Sequence, residues 1–101
     1  MPSFFKVARL SDIAAGAVRE VSAGDRKILL ANLEGQIFAI DGECLHQGGP
    51  LAEGQISGDL VECPWHFWQW NLKTGECAHD PAVKTRCYEV KVEGEDVLVA
   101  V

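Results

Sequence analysis

The sequence predicts an all-β chain: an antiparallel β framework assembled from both ends, with a small loop-rich subdomain inserted at about residues 42–81. Three observations predict it. Outside that stretch the apolar residues recur with the period of strands. Inside it, Gly, Pro, Trp, Cys and His accumulate and the β-rich runs become short. Helical periodicity is nearly absent throughout.

Taken in order, Phe4 to Leu10 and Ala17 to Ser22 read as short strands. Between them Ser11 to Gly16 suggests one turn of helix, with a capping Ser at its start and Gly at its end. Arg26 to Leu33 and Gln36 to Asp41 are β-rich runs joined by Glu34-Gly35, where Gly supplies the positive φ that a two-residue hairpin turn demands. Within the insert, Gly54 to Ser57, Leu60 to Glu62 and Phe67 to Asn71 are strand candidates, and Lys73-Thr74-Gly75 is a turn. Tyr88 to Glu93 alternates strictly, with Tyr88, Val90 and Val92 on one face. Gly94-Glu95 then turns the chain into the Val-rich run from Asp96 to Val101.

A chain of 101 residues is expected to be one domain, residues 1–101, with a modest core. Its 48% apolar and 24% charged residues give an ordinary globular balance and argue against disorder. Nine Lys and Arg against fifteen Asp and Glu leave a net charge of −6, which excludes a nucleic-acid binder held by phosphate contacts. No apolar run approaches the ~20 residues needed to span a bilayer. The stretch from Met1 to Arg9 meets charge too early for a signal peptide. A cytoplasmic monomer with reduced thiols is the expectation.

The charge is unevenly spread. From Ile28 to Leu72 there is no Lys or Arg, while Glu34, Asp41, Glu43, Glu53, Asp59 and Glu62 fall within it. The linear pattern predicts an acidic end, either an ordinary solvated face or a docking surface for basic partners.

Chemistry concentrates in two segments, Cys44-Leu45-His46-Gln47-Gly48-Gly49-Pro50-Leu51 and Cys63-Pro64-Trp65-His66. They form C-x-H followed by C-x-x-H, and contain two of the three histidines in the chain. A Cys₂His₂ zinc site would use the same ligand types, although zinc modules usually space the first pair more widely. A disulfide framework lacks any pointer to an oxidising compartment. A Cys–His nucleophile would need one reactive thiol, an orienting partner and a cleft. Cys77, Cys87 and His79 lie outside both segments and read as packing or surface residues.

These segments and their flanks resemble the Rieske [2Fe–2S] ferredoxins. The resemblance covers nearly the whole chain: two ligand loops, the intervening hairpin, a tail from Trp70 to Glu76, and the closing strand pair. It implies the Rieske fold, with Cys44 and Cys63 holding one iron as thiolates and His46 and His66 holding the other through neutral imidazole. Two ferric ions, two sulfides and two thiolates sum to zero charge, so such a cluster accepts an electron more readily than one held by four thiolates. Gly48 and Gly49 would let the backbone approach the sulfides, and Pro50, Pro64 and Trp65 would stiffen and dry the site.

Departures from the respiratory Rieske type refine the expectation. That type links its two loops by a disulfide, and the matching positions here are Gly49 and Trp65. Its hydroxyl donors to the cluster sulfurs correspond here to Trp68 and Trp70, which are expected to pack beneath the loops. With Glu43 and Glu62 beside the ligand Cys residues, the potential should lie near the low end of the Rieske range, about −150 mV. The chain offers neither a mononuclear iron site nor a dinucleotide-binding Gly fingerprint.

The resemblance therefore implies a one-electron carrier, not an enzyme. It would take electrons from an NAD(P)H-dependent flavin reductase and pass them to a terminal oxygenase of hydrocarbon catabolism. That oxygenase would be a ring-hydroxylating dioxygenase or a diiron hydrocarbon monooxygenase, and Phe67 after His66 looks more like the latter type. Alternatives are the Rieske-type small subunit of an assimilatory nitrite reductase and a zinc-stabilised β interaction module.

Overall fold

Residues 3–43, 51–64, 68–78 and 80–100 are described by the computed structural model. Cys44, His46, Gly48, Gly49, Pro50, Trp65, His66, Phe67 and His79 lie outside the described residues. Twelve strands occur among the described residues: β1 (Phe4–Arg9), β2 (Val18–Ala23), β3 (Arg26–Leu33), β4 (Gln36–Asp41), β5 (Gln55–Ser57), β6 (Leu60–Glu62), β7 (Gln69–Asn71), β8 (Glu76–Cys77), β9 (Asp80–Lys84), β10 (Cys87–Tyr88), β11 (Val90–Glu93) and β12 (Asp96–Ala100). They form three antiparallel sheets in the orders β1-β12-β11, β10-β4-β3-β2 and β5-β6-β7-β8-β9. The first two draw strands from both ends of the chain, and the third spans the insert and runs a few residues past it, to Lys84.

The four-stranded sheet is the middle layer. Along β3, Ile28 and Leu30 enter one apolar cluster with Ile37, Ala39, Tyr88, Val97 and Val99. Leu29 and Ala31 enter the other, with Ile40, Leu51, Val61, Cys63, Trp70, Leu72 and Cys77. All four β3 residues are completely buried. A strand covered on both faces has no polar side to present, which is why this run is continuously apolar instead of alternating.

The β3–β4 turn has φ of 54° at Glu34 and 93° at Gly35, the two positive values of a type I′ hairpin. Glu34 takes a conformation that costs an L-residue about 1–2 kcal/mol. Asn32 offsets it: its buried side-chain carbonyl accepts the Gly35 N–H at 2.7 Å, and its amide donates to the Ile13 carbonyl at 2.8 Å.

Two expectations are corrected. The helical turn is a 3-10 turn at Leu10–Asp12 in place of a helix from Ser11 to Gly16. It is started by the Asp12 carboxylate, which accepts the Arg9 N–H at 3.0 Å, so the acid and not Ser11 does the capping. The run from Tyr88 to Glu93 is two strands in two sheets. Cys87 and Tyr88 pair with Ile40 and Ala39, whereas Val90 to Glu93 pair with β12. Glu89 is the crossing point, its carbonyl accepting the Ala100 N–H at 3.0 Å. Tyr88 is consequently buried, while Val92, near the end of an edge strand, is 44% exposed.

Candidate metal centre

The described residues on either side of the first Cys–His segment are tied together at its root. β4 ends at Asp41, the Gly42 N–H donates to the Lys27 carbonyl at 3.0 Å, and the Leu51 N–H donates to the Gly42 carbonyl at 3.1 Å. A Cβ on Gly42 would stand 3.2–3.3 Å from the Lys27 and Ile28 backbone, so the close approach favours glycine. Leu51 opens a 3-10 turn through Glu53 and is fully buried.

The second segment is rooted in the β6–β7 hairpin. Glu62 pairs with Gln69, and beyond that pair the Cys63 N–H donates to the Trp68 carbonyl at 2.7 Å. Cys63 is fully buried, in one apolar cluster with Leu51, Val61 and Trp70. The two roots are pressed together at Gly54, where an added Cβ would fall 1.8 Å from the Glu62 carbonyl oxygen. Only a residue without a side chain fits there.

Of the four ligands expected from the sequence, Cys63 is described, and Cys44, His46 and His66 are outside the described residues. Among the described residues no three His, Cys, Asp or Glu side chains gather into a metal-binding group. The donor set still fits a thiolate–imidazole cluster. The residue stretch that follows C-x-H meets the hairpin that carries Cys63 at Gly54 and Glu62, and Cys63 is fully buried among apolar side chains.

Cys77 and Cys87 are free thiols outside both Cys–His segments. Cys77 is buried on β8 opposite Trp70. Cys87 is exposed on β10, and partial burial raises its thiol pKa, with Lys84 opposing and Asp41 adding. Trp70 is fully buried and Trp68 partly so, with ring centroids 6.1 Å apart. Both contribute to the apolar cluster that holds Cys63, as expected of packing residues.

The acidic run does not form one end. Leu33 pairs with Gln36 at one end of the β3–β4 hairpin and Ile28 with Asp41 at the other, so Glu34 is remote from Gly42. Ser57 pairs with Leu60 and Gln55 with Glu62, so Asp59 lies at the turn away from Cys63. Glu34 and Asp59 instead line a shared groove of about 560 Å³ with Phe38 and Lys73. Lys73 Nζ is 3.6 Å from Asp59 and 5.9 Å from the centre of the Phe38 ring. Glu43, Glu53 and Glu62 remain beside the arch roots.

The sequence reading missed a polar tie. The Tyr88 hydroxyl donates to Asp41 Oδ1 at 2.5 Å, and the Asp41 N–H donates to the Arg86 carbonyl at 3.0 Å. Burial raises the phenol pKa, the Asp41 hydrogen bond raises it further, and Arg26 opposes. The strands that enter and leave the insert are thereby joined across 47 residues. No local sequence signal marks such a pair.

The Rieske [2Fe-2S] domain family matches residues 3–99. The ferredoxin component of biphenyl 2,3-dioxygenase from Rhodococcus jostii (strain RHA1) is 37% identical over 95 residues, covering 93% of this chain and 89% of that protein. A chain in the solved complex of reduced oxygenase and oxidized ferredoxin of carbazole 1,9a-dioxygenase aligns with a TM-score of 0.88 and 33% identity, over 96% of this chain and 92% of that one. A Mycobacterium tuberculosis protein described as an NADH-dependent nitrite reductase small subunit aligns with a TM-score of 0.91, over 100% of this chain and 96% of its own. Its identity is 19%, so it shares the fold. Matched along almost its whole length, and carrying C-x-H and C-x-x-H in sequence, the chain belongs to the Rieske [2Fe-2S] domain family.

Proposed function

We propose that this chain is a one-electron carrier that takes electrons from an NAD(P)H-dependent flavin reductase and delivers them to a terminal oxygenase. Cys44 and Cys63 would hold one iron of a [2Fe–2S] cluster and His46 and His66 the other. When bound, the cluster supplies reversible one-electron chemistry. The chain is proposed as a single domain in which residues 42–81 form the cluster-binding subdomain.

The observation that carries this reading is the fully buried Cys63 on a root that touches the root of the first arch through Gly54 and Glu62. Leu51, Val61 and Trp70 exclude water from the Cys63 side of the site, and the backbone bond to Trp68 holds the thiol-bearing residue in place. Glu43, Glu53 and Glu62 supply negative charge beside the roots, which suits brief, steered contact with basic protein surfaces.

Similarity to ferredoxin components favours a carrier over a catalytic subunit. A ring-hydroxylating dioxygenase is the favoured oxygenase, because such systems supply those relatives. The nitrite reductase alternative rests on fold alone. Among the described residues no helix is long and apolar enough to cross a membrane.

Metal and sulfide analysis of the purified protein tests the reading. It should contain about two irons and two acid-labile sulfides per chain, and Cys63→Ser should lose or alter the cluster. One zinc and no sulfide would refute it.

A further inference from the structure

We propose that Tyr88 is a positioning residue for the first ligand arch: its phenol, hydrogen-bonded to Asp41, fixes the arch root and slows release of the iron. The inference rests on the reading that the arch beginning after Gly42 holds cluster ligands.

Tyr88 is far from that arch in sequence and reaches its root by one bond. Asp41 is the last residue of β4, and three constraints meet on it and Gly42. The Tyr88 hydroxyl holds the Asp41 carboxylate at 2.5 Å. The Arg86 carbonyl holds the Asp41 N–H, and the Lys27 carbonyl holds the Gly42 N–H. The Gly42 carbonyl in turn receives the Leu51 N–H, which closes the arch. The Asp41 side chain is thus coupled through one peptide unit to the group on which the arch closes. Of these links, the Tyr88–Asp41 bond alone joins two side chains and involves a charge. A hydrogen bond to a charged group is among the stronger ones, and Tyr88 is only 8% exposed, so water does not readily replace it.

The phenol is separable from the ring. The ring packs in the apolar cluster with Ile28, Ala39, Val97 and Val99. Phe at this position keeps that packing and removes the hydroxyl alone. Arg26 also acts on the Tyr88 hydroxyl, so the Asp41 variants are needed to isolate the Tyr88–Asp41 bond.

The test uses the cluster-loaded protein and an iron chelator, bathophenanthroline disulfonate. Tyr88→Phe should release iron roughly tenfold to a hundredfold faster, the range set by a hydrogen bond to a charged group. It should also change the visible circular dichroism of the cluster, which loss of global stability alone would not do below the unfolding transition. Asp41→Ala should reproduce both effects. Asp41→Asn, whose carbonyl still accepts from the phenol but without the charge, should fall between Asp41→Ala and the wild type. The double variant of Tyr88→Phe and Asp41→Ala should be no faster than either single one, as expected for partners in one bond. Wild-type release and dichroism in Tyr88→Phe, or additive effects in the double variant, would overturn the inference. A wild-type protein without iron and sulfide would instead refute the cluster reading itself.

Discussion

Replacing Gly54 by Ala should unsettle the candidate centre more than any other single methyl addition among the described glycines. The new Cβ would stand 1.8 Å from the Glu62 carbonyl oxygen and 3.2 Å from that of Leu51. Real Cβ atoms essentially never approach within 3.0 Å, so the gap must open by at least 1.2 Å. The obstruction is backbone on both sides, so no side-chain rotation relieves it. Opening the gap strains the pairs of Glu62 with Gln55 and Gln69 and shifts the residue just before Cys63. Overpacking costs about 1–3 kcal/mol, and each weakened ladder bond adds about 1 kcal/mol. A total near 3 kcal/mol lowers Tm by roughly 12–24 °C in a domain of this size. Gly58→Ala is the control. That glycine has φ of 61° and nothing within 4 Å, so the change costs only the left-handed conformation. That is about 1–2 kcal/mol. Thermal unfolding by circular dichroism and iron content per chain measure the difference. If Gly54→Ala matched Gly58→Ala in both, the roots would not be in the tight contact described.

The buried amide of Asn32 predicts that Asn32→Ala costs about 1–3 kcal/mol in urea unfolding, because the Ile13 carbonyl and the Gly35 N–H both lose their partner; a change within error would refute its bridging role. The raised pKa of Tyr88 gives a pH dependence whose sign is fixed. The folded state holds the phenol proton more tightly than the unfolded one, so this stability is complete below about pH 10 and is lost as pH rises through the higher folded value. Tyr88→Phe should flatten that alkaline decline, measured by urea midpoints at a series of pH values. The division of the acidic run predicts unequal charge variants. Glu53→Lys should slow association with a terminal oxygenase by on the order of a few-fold at low ionic strength, and salt should erase the difference. Asp59→Asn should not, because that side chain is paired with Lys73 away from the arch roots. Stopped-flow mixing at several salt concentrations reads both, and equal slowing would refute the assignment.

How far the sequence reaches depends on the range of each interaction. β3, β4 and their turn are legible to the residue, because Glu34-Gly35 encodes a hairpin within a few positions. β8 and β9 carry no comparable local signal. One is two residues long, the other begins beside Pro81, and their pairing shifts register between Glu76 and Cys77. The break at Glu89 is invisible because Tyr88 and Val90 continue one alternating pattern while their partners belong to different sheets. At the candidate centre, the Cys and His spacing is legible since it involves rare residues close in sequence. The Gly54–Glu62 contact and the Tyr88–Asp41 bond depend on how distant segments meet. The acidic run misled for a related reason: residues adjacent in sequence were distributed by two hairpins to opposite ends of their strands.

The strand covered on both faces also carries a liability for the nascent chain. Ile28-Leu29-Leu30-Ala31 is apolar, uncharged and free of Pro and Gly, the composition that pairs readily with copies of itself when exposed. Its protection in the folded protein comes from two layers, one of them contributed by residues far toward the C-terminus. Until Val97 and Val99 arrive, the native cover of one face is incomplete, with Ala8 and Ile13 supplying only part of it. Arg26 and Lys27 stand immediately before the segment, where charge acts as a gatekeeper against such association. Removing those two charges should therefore lower the soluble yield during synthesis even though neither side chain is part of the apolar interior.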